Sequence, residues 1–308
     1  MKKSTTSPVR LRATSPGQLV ATLPYLFGFR PDQSVIVLGL QGRRIDAAAR
    51  LDASAVLDAG FDAEMLRKRL TTVTCQGRQV IVVVWLDDID DANRALSTVV
   101  DAIGSPDMAV LVSQGRCQAD GGEWQDCPDH IEDADDAGLT VLASRAAVQA
   151  SVAGPIGQAG DIARAWGSAC LIVDGLTLNE RLAMAKHLVK KGLVAPSELS
   201  SENCLALAAL ARQGRVRDVM TAQLTEKSAR HHMALWAAVV AKAPDDGAPA
   251  ALGLMGLSAW LAGEGALQVC CVERGLAIDP DHSLLRLVEA VNVMGVHPRE
   301  WAKVRRLR

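Results

Sequence analysis

The sequence predicts an α/β N-terminal part, a mixed sheet with flanking helices, followed by an all-α, repeat-like helical region. Apolar strand-like runs alternate with helical patterns up to about residue 113. From residue 163 onward the chain is rich in Ala and Leu at a helical period, with no strand-like run after about residue 173. A length of 308 residues suits two domains. We predict an α/β domain over residues 1–155 and a helical domain over residues 160–308.

The first elements are predicted from helix-end residues and from strand-like apolar runs. Ser15-Pro16 provides the serine cap and first-turn proline of a helix start, and the helical pattern runs to Gly28. Pro24 is expected to bend or divide this helix. Residues 34–40 and 44–51 are two strand-like runs with a short polar link, which predicts a β-hairpin.

The rest of the α/β domain alternates helices and strands. We predict a helix over residues 62–73, a strand over residues 79–86, a helix over residues 90–103 and a strand over residues 107–113. The 79–86 run is apolar without alternation, which indicates a strand covered on both faces. This strand should therefore lie centrally in the sheet.

Two segments lead from the last strand to the helical domain. Residues 115–138 are acidic with few apolar side chains, and we predict an exposed loop that starts as a hairpin through Trp124. A helix over residues 140–152 and a glycine-containing connector over residues 154–160 follow. Beyond them, helices joined by short loops are typical of a solenoid-like or bundle arrangement.

Composition narrows the class of protein. Hydrophobic residues make up 49% of the chain, yet no apolar run has the length of a signal peptide's hydrophobic region or a membrane helix. We therefore predict a cytoplasmic protein with no membrane contact. The seven cysteines lack framework spacing and should be reduced thiols. Aromatic residues at 3% and a net charge of −2 weigh against nucleic-acid binding.

Two long segments resemble a known family. They are residues 15–40 and residues 257–287, with Trp124 and Cys127-Pro128 between them. Both are similar to an actinobacterial and actinobacteriophage family catalogued as domain of unknown function number 4192. The middle segment departs from the family pattern because it is short and acidic and lacks an additional adjacent cysteine. The resemblance implies no activity, cofactor or partner.

A second resemblance lies within the closing segment, at about residues 249–282. Gly256 and Pro280 stand at the spacing of the helix A glycine and terminal proline of a tetratricopeptide repeat, and Gly275-Leu276 stands where its small-Leu pair belongs. The usual central alanine is Gln268 here. The resemblance implies a helical hairpin, and it does not extend to the repeat's peptide groove.

Cys117, Cys127 and His130 form a candidate metal site. Cys127 and His130 make a C-x-x-H step, and Cys117 could supply a third zinc ligand. A structural zinc site needs four ligands, and the C-x-x-C pairs of strong zinc motifs are absent. The alternative interpretation, which these gaps favour, is a set of unmetallated loop residues.

Asp87 and Asp88 form a candidate small-molecule or divalent-cation site, because they end the central strand where α/β sheets often bind ligands. The alternative is that such residues cap and charge the N-terminus of the next helix. The chain has no G-x-S-x-G motif, phosphate loop or G-x-G-x-x-G motif. The sequence therefore leaves any catalytic residue unidentified, and we predict no cofactor.

Two arginine clusters form candidate surfaces for nucleic acid or an acidic partner. Arg43 and Arg44 lie in the first hairpin, and Arg305 and Arg306 lie in the basic tail. The alternatives are an edge strand protected from aggregation and a solvated tail.

The remaining conspicuous side chains have structural interpretations. His231 and His232 are predicted to be surface or boundary residues, and the tryptophans are predicted to anchor the core, namely Trp85, Trp166, Trp236 and Trp260. The favoured hypothesis for function is a non-catalytic adaptor that binds a protein partner. The alternatives are an enzyme with a site near Asp87 and a nucleic-acid-associated protein. The sequence leaves the oligomeric state open.

Overall fold

The computed structural model describes residues 11–75, 77–128, 131, 134 and 141–304. The chain divides into two compact units, the first ending at Arg145 and the second beginning at Ala146. The sheet lies in the first unit and the second is helical, so the predicted fold class is confirmed. None of the helices in the described ranges combines the length and apolar character that crossing a lipid bilayer requires.

The first unit follows the predicted order of helix, hairpin, helix, strand, helix and strand, with a short extra helix after the hairpin. Its elements are α1 (Pro16–Phe27), β1 (Ser34–Gln41), β2 (Arg44–Asp52), α2 (Ala53–Leu57), α3 (Ala63–Leu70), β3 (Gln79–Trp85), α4 (Ile89–Ile103), β4 (Met108–Ser113), β5 (Arg116–Ala119) and β6 (Gln125–Asp126).

Helix α1 begins and ends where the sequence predicts. The Ser15 side chain caps it by accepting a hydrogen bond from the Gln18 N–H, and Gly28 ends it in the left-handed conformation. The expected division at Pro24 is wrong, because the helix continues through Pro24 to Phe27. A proline this close to the C-terminus removes one backbone donor and leaves the preceding turns intact.

The sheet has six strands in the order β2-β1-β3-β4-β5-β6. β3 pairs antiparallel with β1 and parallel with β4, to which α4 connects it. Alternate β3 side chains enter two apolar clusters: Val82 and Val84 pack with residues of α2, α3 and α4, whereas Ile81 and Val83 pack with residues of α1. The predicted central, doubly covered strand is therefore confirmed.

The predicted hairpin through Trp124 is confirmed, and most of residues 115–128 are exposed as expected. The description of this segment as a loop is incomplete, because β5 and β6 pair with the sheet and extend it beyond β4. The Cys117 side chain is fully buried. Further along, Ile131 and Ala134 are buried against Ala21 of α1.

The second unit is a series of helices. They are α5 (Arg145–Ser151, which starts at the last residue of the first unit), α6 (Ala159–Asp174), α7 (Leu178–Val194), α8 (Ser201–Arg212), α9 (Gly214–Ala222), α10 (Ala229–Val240), α11 (Ala248–Ala262), α12 (Gly265–Ile278), α13 (Ser283–Val293) and α14 (Trp301–Val304). α11 is buried on every face from Ala248 to Leu261 and contacts α8, α10, α12 and α13. This helix is the centre of the unit.

Helices α11 and α12 form the helical pair expected near residues 249–282. Gly263, in the left-handed conformation, ends α11 just before α12 starts. A Cβ on Gly275 would lie 2.4 Å from Leu285 Cδ1, so the absence of a side chain lets α12 approach α13 closely. Gln268 is buried and donates a hydrogen bond to the Val288 carbonyl at 2.9 Å. The identity of the pair as a tetratricopeptide repeat stays a prediction.

Helix α10 corrects one prediction about histidines. His231 is exposed, but His232 is only 1% exposed, so its assignment to the surface or boundary is wrong. The helical period places His232 on the inward face together with Leu235 and Trp236. The predicted core positions of the four tryptophans are confirmed, since each is at most 8% exposed.

Candidate functional site

Asp87 and Asp88 lie at the end of β3, as the sequence predicts. The Asp88 side chain caps α4 by accepting a hydrogen bond from the Asp91 N–H at 2.9 Å. The exposed Asp87 carboxylate accepts a hydrogen bond from Gln33 Nε2 at 3.4 Å, and its carbonyl accepts one from Ser113 Oγ at 3.0 Å. Asp88 therefore has the capping role of the alternative interpretation, and ligand binding at this strand end stays a prediction.

The same strand end contains two residues in an uncommon backbone conformation. Gln33, just before β1, has φ of +53°, and Gln114, just after β4, has φ of +48°. The left-handed region is sparsely populated by residues other than glycine, and such residues recur at functional sites. Gln114 forms the two-residue turn between β4 and β5 with Gly115, whose φ is +77°, and this turn accounts for its conformation. Gln33 is not part of such a turn, and its side chain reaches the Asp87 carboxylate.

Cys117 and Cys127 are brought together by the β5–β6 hairpin. Cys117 pairs with Gln125 across the hairpin, and the Cys127 N–H donates to the Gly115 carbonyl at 2.8 Å. The two side chains thus point to the same side of the hairpin, two positions apart, and their thiols hydrogen-bond to each other. We call these two residues the dithiol pair.

Burial dominates the electrostatics of the dithiol pair. It raises the pKa of Cys117, and together with the hydrogen bond from Cys117 it raises the pKa of Cys127 to about 12. The pair could offer two thiolates to a soft metal such as zinc. His130 lies outside the described residues, among which no three His, Cys, Asp or Glu side chains cluster as metal ligands. The predicted metal site therefore stays a prediction.

Arg43 and Arg44 are exposed at the turn and start of β2, the edge strand of the sheet. Its pairing with β1 is interrupted by a bulge that displaces Asp46. Arg50 lies farther along the same strand, donates to Asp52 at 2.7 Å and stacks over Phe29 at 5.3 Å. Charges and a bulge fit an edge protected against further strand pairing. Arg305 and Arg306 lie outside the described residues, so nucleic-acid binding stays a prediction.

The helical unit contains an open pocket of about 300 Å³ that no motif in the sequence indicates. Its walls come from the end of α8, the start of α9, the turn before α11 and the junction of α12 with α13. We call it the charged pocket, and it is lined by Arg212, Arg217, Asp245, Asp246, Pro249, Ala250, Ile278, Asp279 and His282.

Two arginines of the charged pocket are held in place without an ion pair to any described carboxylate. The Arg212 guanidinium stacks over the Trp166 ring at 5.7 Å. Arg217 Nη2 donates to Ser283 Oγ at 3.3 Å, and its Nη1 lies 3.4 Å from Nε2 of His282. Both guanidiniums therefore retain donors for an added anionic group.

The carboxylates of the charged pocket differ in their partners. Asp245 forms an ion pair with Arg274 at 2.9 Å, whereas Asp246 and Asp279 form none with the described residues. Burial and the neighbouring Arg217 lower the pKa of His282, and Asp279 opposes this shift. The pocket thus presents separate positive and negative groups beside an imidazole whose protonation is disfavoured.

Comparison with known proteins gives one match. A family model described as Domain of unknown function (DUF4192) matches residues 16–299. Neither the curated proteins nor the solved structures contain a match to the chain.

Proposed function

The chain belongs to the family described as Domain of unknown function (DUF4192), as its opening and closing segments predict, and we propose that it is an adaptor whose charged pocket binds a segment of a partner protein. The observation that supports this proposal is that Arg212 and Arg217 lie beside Asp246 and Asp279 in one pocket and that none of the four forms an ion pair with another described residue.

The charge arrangement favours a polypeptide over a small apolar ligand. Most pockets for small molecules are mainly apolar with few polar groups, whereas this one is rimmed by guanidiniums and carboxylates. An extended peptide with an acidic and a basic side chain would complement both signs of charge at once. The open form of the pocket leaves room for a chain to enter and leave.

A charge-reversal experiment tests this proposal. The full chain is immobilised, incubated with lysate of the source organism and compared with Arg212→Glu/Arg217→Glu. Lys186→Glu/Lys190→Glu is the matched control, because both lysines are exposed on α7, outside the pocket, and the change in charge is the same.

The expected result is a protein retained by the wild type and the control in near-equal amount and lost by the pocket variant. Cross-linking with mass spectrometry should then place the partner beside residues 212–217 or 279–282. A partner retained equally by all three chains, or cross-linked elsewhere, would contradict the proposal.

The strand end near Asp87 supports a second candidate function, a small-molecule enzyme or binder. The observation in its favour is the left-handed conformation of Gln33, whose side chain donates a hydrogen bond to the Asp87 carboxylate. Native mass spectrometry of the purified chain, with elemental analysis, tests it. A small molecule or divalent cation that is lost in Asp87→Ala supports this function, and a bare wild-type chain contradicts it.

A further inference from the structure

The dithiol pair lies against the helix that covers one face of the sheet. Cys117 is fully buried in the apolar cluster beneath α1, and Cys127 is partly buried at its margin. A Cβ on Gly17 of α1 would lie 3.8 Å from Cys117 Sγ and 3.2 Å from the Asp126 carbonyl. The absence of a side chain at Gly17 therefore lets the first turn of α1 pack closely against Cys117 and the end of β6.

We propose that Cys117 and Cys127 are a reversible redox site that closes to an intramolecular disulfide in the presence of a peroxide. In the first step the Cys127 sulfur attacks hydrogen peroxide, which gives a sulfenic acid and one water. In the second step Cys117 attacks that sulfur, the S–S bond forms and a second water leaves with the Cys117 proton. Two thiols lose two electrons and two protons, and one peroxide becomes two waters.

The order of the two steps follows from exposure. Cys127 is the half-buried member of the pair and is the one that peroxide can reach, whereas Cys117 has no exposed surface. Cys117 therefore acts as the resolving thiol, protected from direct oxidation until its neighbour has reacted.

Closure requires a movement of the backbone. Residues displaced diagonally across an antiparallel pair have Cα atoms about 7–8 Å apart, slightly beyond the usual range of a disulfide. Cys127 follows the last ladder residue of β6, a strand of only two residues, and its N–H donates to the Gly115 carbonyl at 2.8 Å. Closure would therefore move this short strand end and release that hydrogen bond.

Closure would link the end of β6 to β5 and lock the turn between them. Residues 120–124, which form that turn, are mostly exposed and join strands at the edge of the sheet. Closing a loop of this size restricts the open states of the hairpin. The oxidised hairpin should therefore resist proteolysis better than the reduced one.

Peptide mapping of the wild-type chain tests the proposal. The reduced protein is treated with hydrogen peroxide at a small molar excess, alkylated with iodoacetamide and digested with trypsin. Cys117 and Cys127 fall on one peptide, residues 117–145. The expected peptide has no alkyl groups and a mass about 2 Da below its unalkylated dithiol form, and dithiothreitol should restore two alkylatable thiols.

Proteolysis and two variants complete the test. Chymotryptic cleavage after Trp124 should slow by roughly tenfold on oxidation of the wild type. Cys75→Ser, which removes an exposed thiol elsewhere, should retain both effects, and Cys127→Ser should lose both. Two alkylated cysteines after peroxide treatment, a sulfinic acid in place of the cross-link, or cross-links to another chain would each overturn the proposal.

Discussion

Replacing His232 should remove much of the acid sensitivity of the helical unit. His232 is 1% exposed, its Nδ1 is buried, and no described group hydrogen-bonds to it. Burial, with a smaller contribution from His231, lowers its pKa from 6.5 to about 4. A neutral imidazole fits this site, whereas an imidazolium would be an uncompensated buried charge.

The sign and size of the effect follow from linkage between protonation and folding. The unfolded chain binds a proton at His232 near pH 6.5, and the folded chain binds one only near pH 4. The contribution to stability is therefore complete above pH 6.5 and is lost as the pH falls toward 4. At about 1.4 kcal/mol per pKa unit the full loss is roughly 3 kcal/mol, of which about 2 kcal/mol falls between pH 7.5 and pH 5.

Urea denaturation followed by tryptophan fluorescence provides the assay. His232→Leu should lose about 2 kcal/mol less stability than the wild type between pH 7.5 and pH 5. His231→Leu, which removes only the smaller contribution of the exposed neighbour, should retain most of the wild-type pH dependence. Equal pH dependence in the wild type and His232→Leu would refute the argument, because it would mean that the buried imidazole accepts a proton without penalty.

Three further predictions concern packing and helix ends. Gly275→Ala should destabilise the chain by about 1–3 kcal/mol in urea denaturation, because its Cβ would lie 2.4 Å from the buried Leu285. Gly167→Ala in α6, where a Cβ meets no atom within 4 Å, should instead stabilise it by roughly 0.5–1 kcal/mol. Asp88→Ala should lower the free energy of unfolding by about 1 kcal/mol, because it removes the cap of α4. Asp87→Ala should lower it by less than about half of that amount. Equal losses of stability for the two variants would contradict the capping role of Asp88.

Local patterns in the sequence predict most of the first unit. The start of α1 at Ser15, the β1–β2 hairpin and the central position of β3 depend on residues close together in the chain, and all are confirmed. The pairing of β5 with the sheet was not predicted, because β5 is only four residues long and lies in an acidic segment. Its formation depends on pairing with the otherwise free edge of β4, and a pairing of this kind leaves no signal in the local composition.

The charged pocket could not be found from the sequence for a related reason. Its polar residues run from Arg212 to His282 and lie in or beside five helices, α8, α9, α11, α12 and α13. None of them forms a motif with its neighbours in sequence, and only the packing of the helices around α11 brings them together. The dithiol pair was closer to prediction, because the candidate metal site already grouped Cys117 with Cys127.

Folding stability alone gives little reason for the arrangement of Arg212 and Arg217. Exposed ion pairs contribute roughly 0–1 kcal/mol, so stability neither requires nor forbids pairing these arginines with Asp246 and Asp279. Stacking on Trp166 and the hydrogen bond to Ser283 do, however, fix the direction of both guanidiniums. A guanidinium already held in place loses less side-chain entropy when it binds a carboxylate. This preorganisation benefits a bound ligand more than it stabilises the free fold. For this reason the charged pocket supports a binding function better than Asp87 and the capping residue Asp88 do at the strand end.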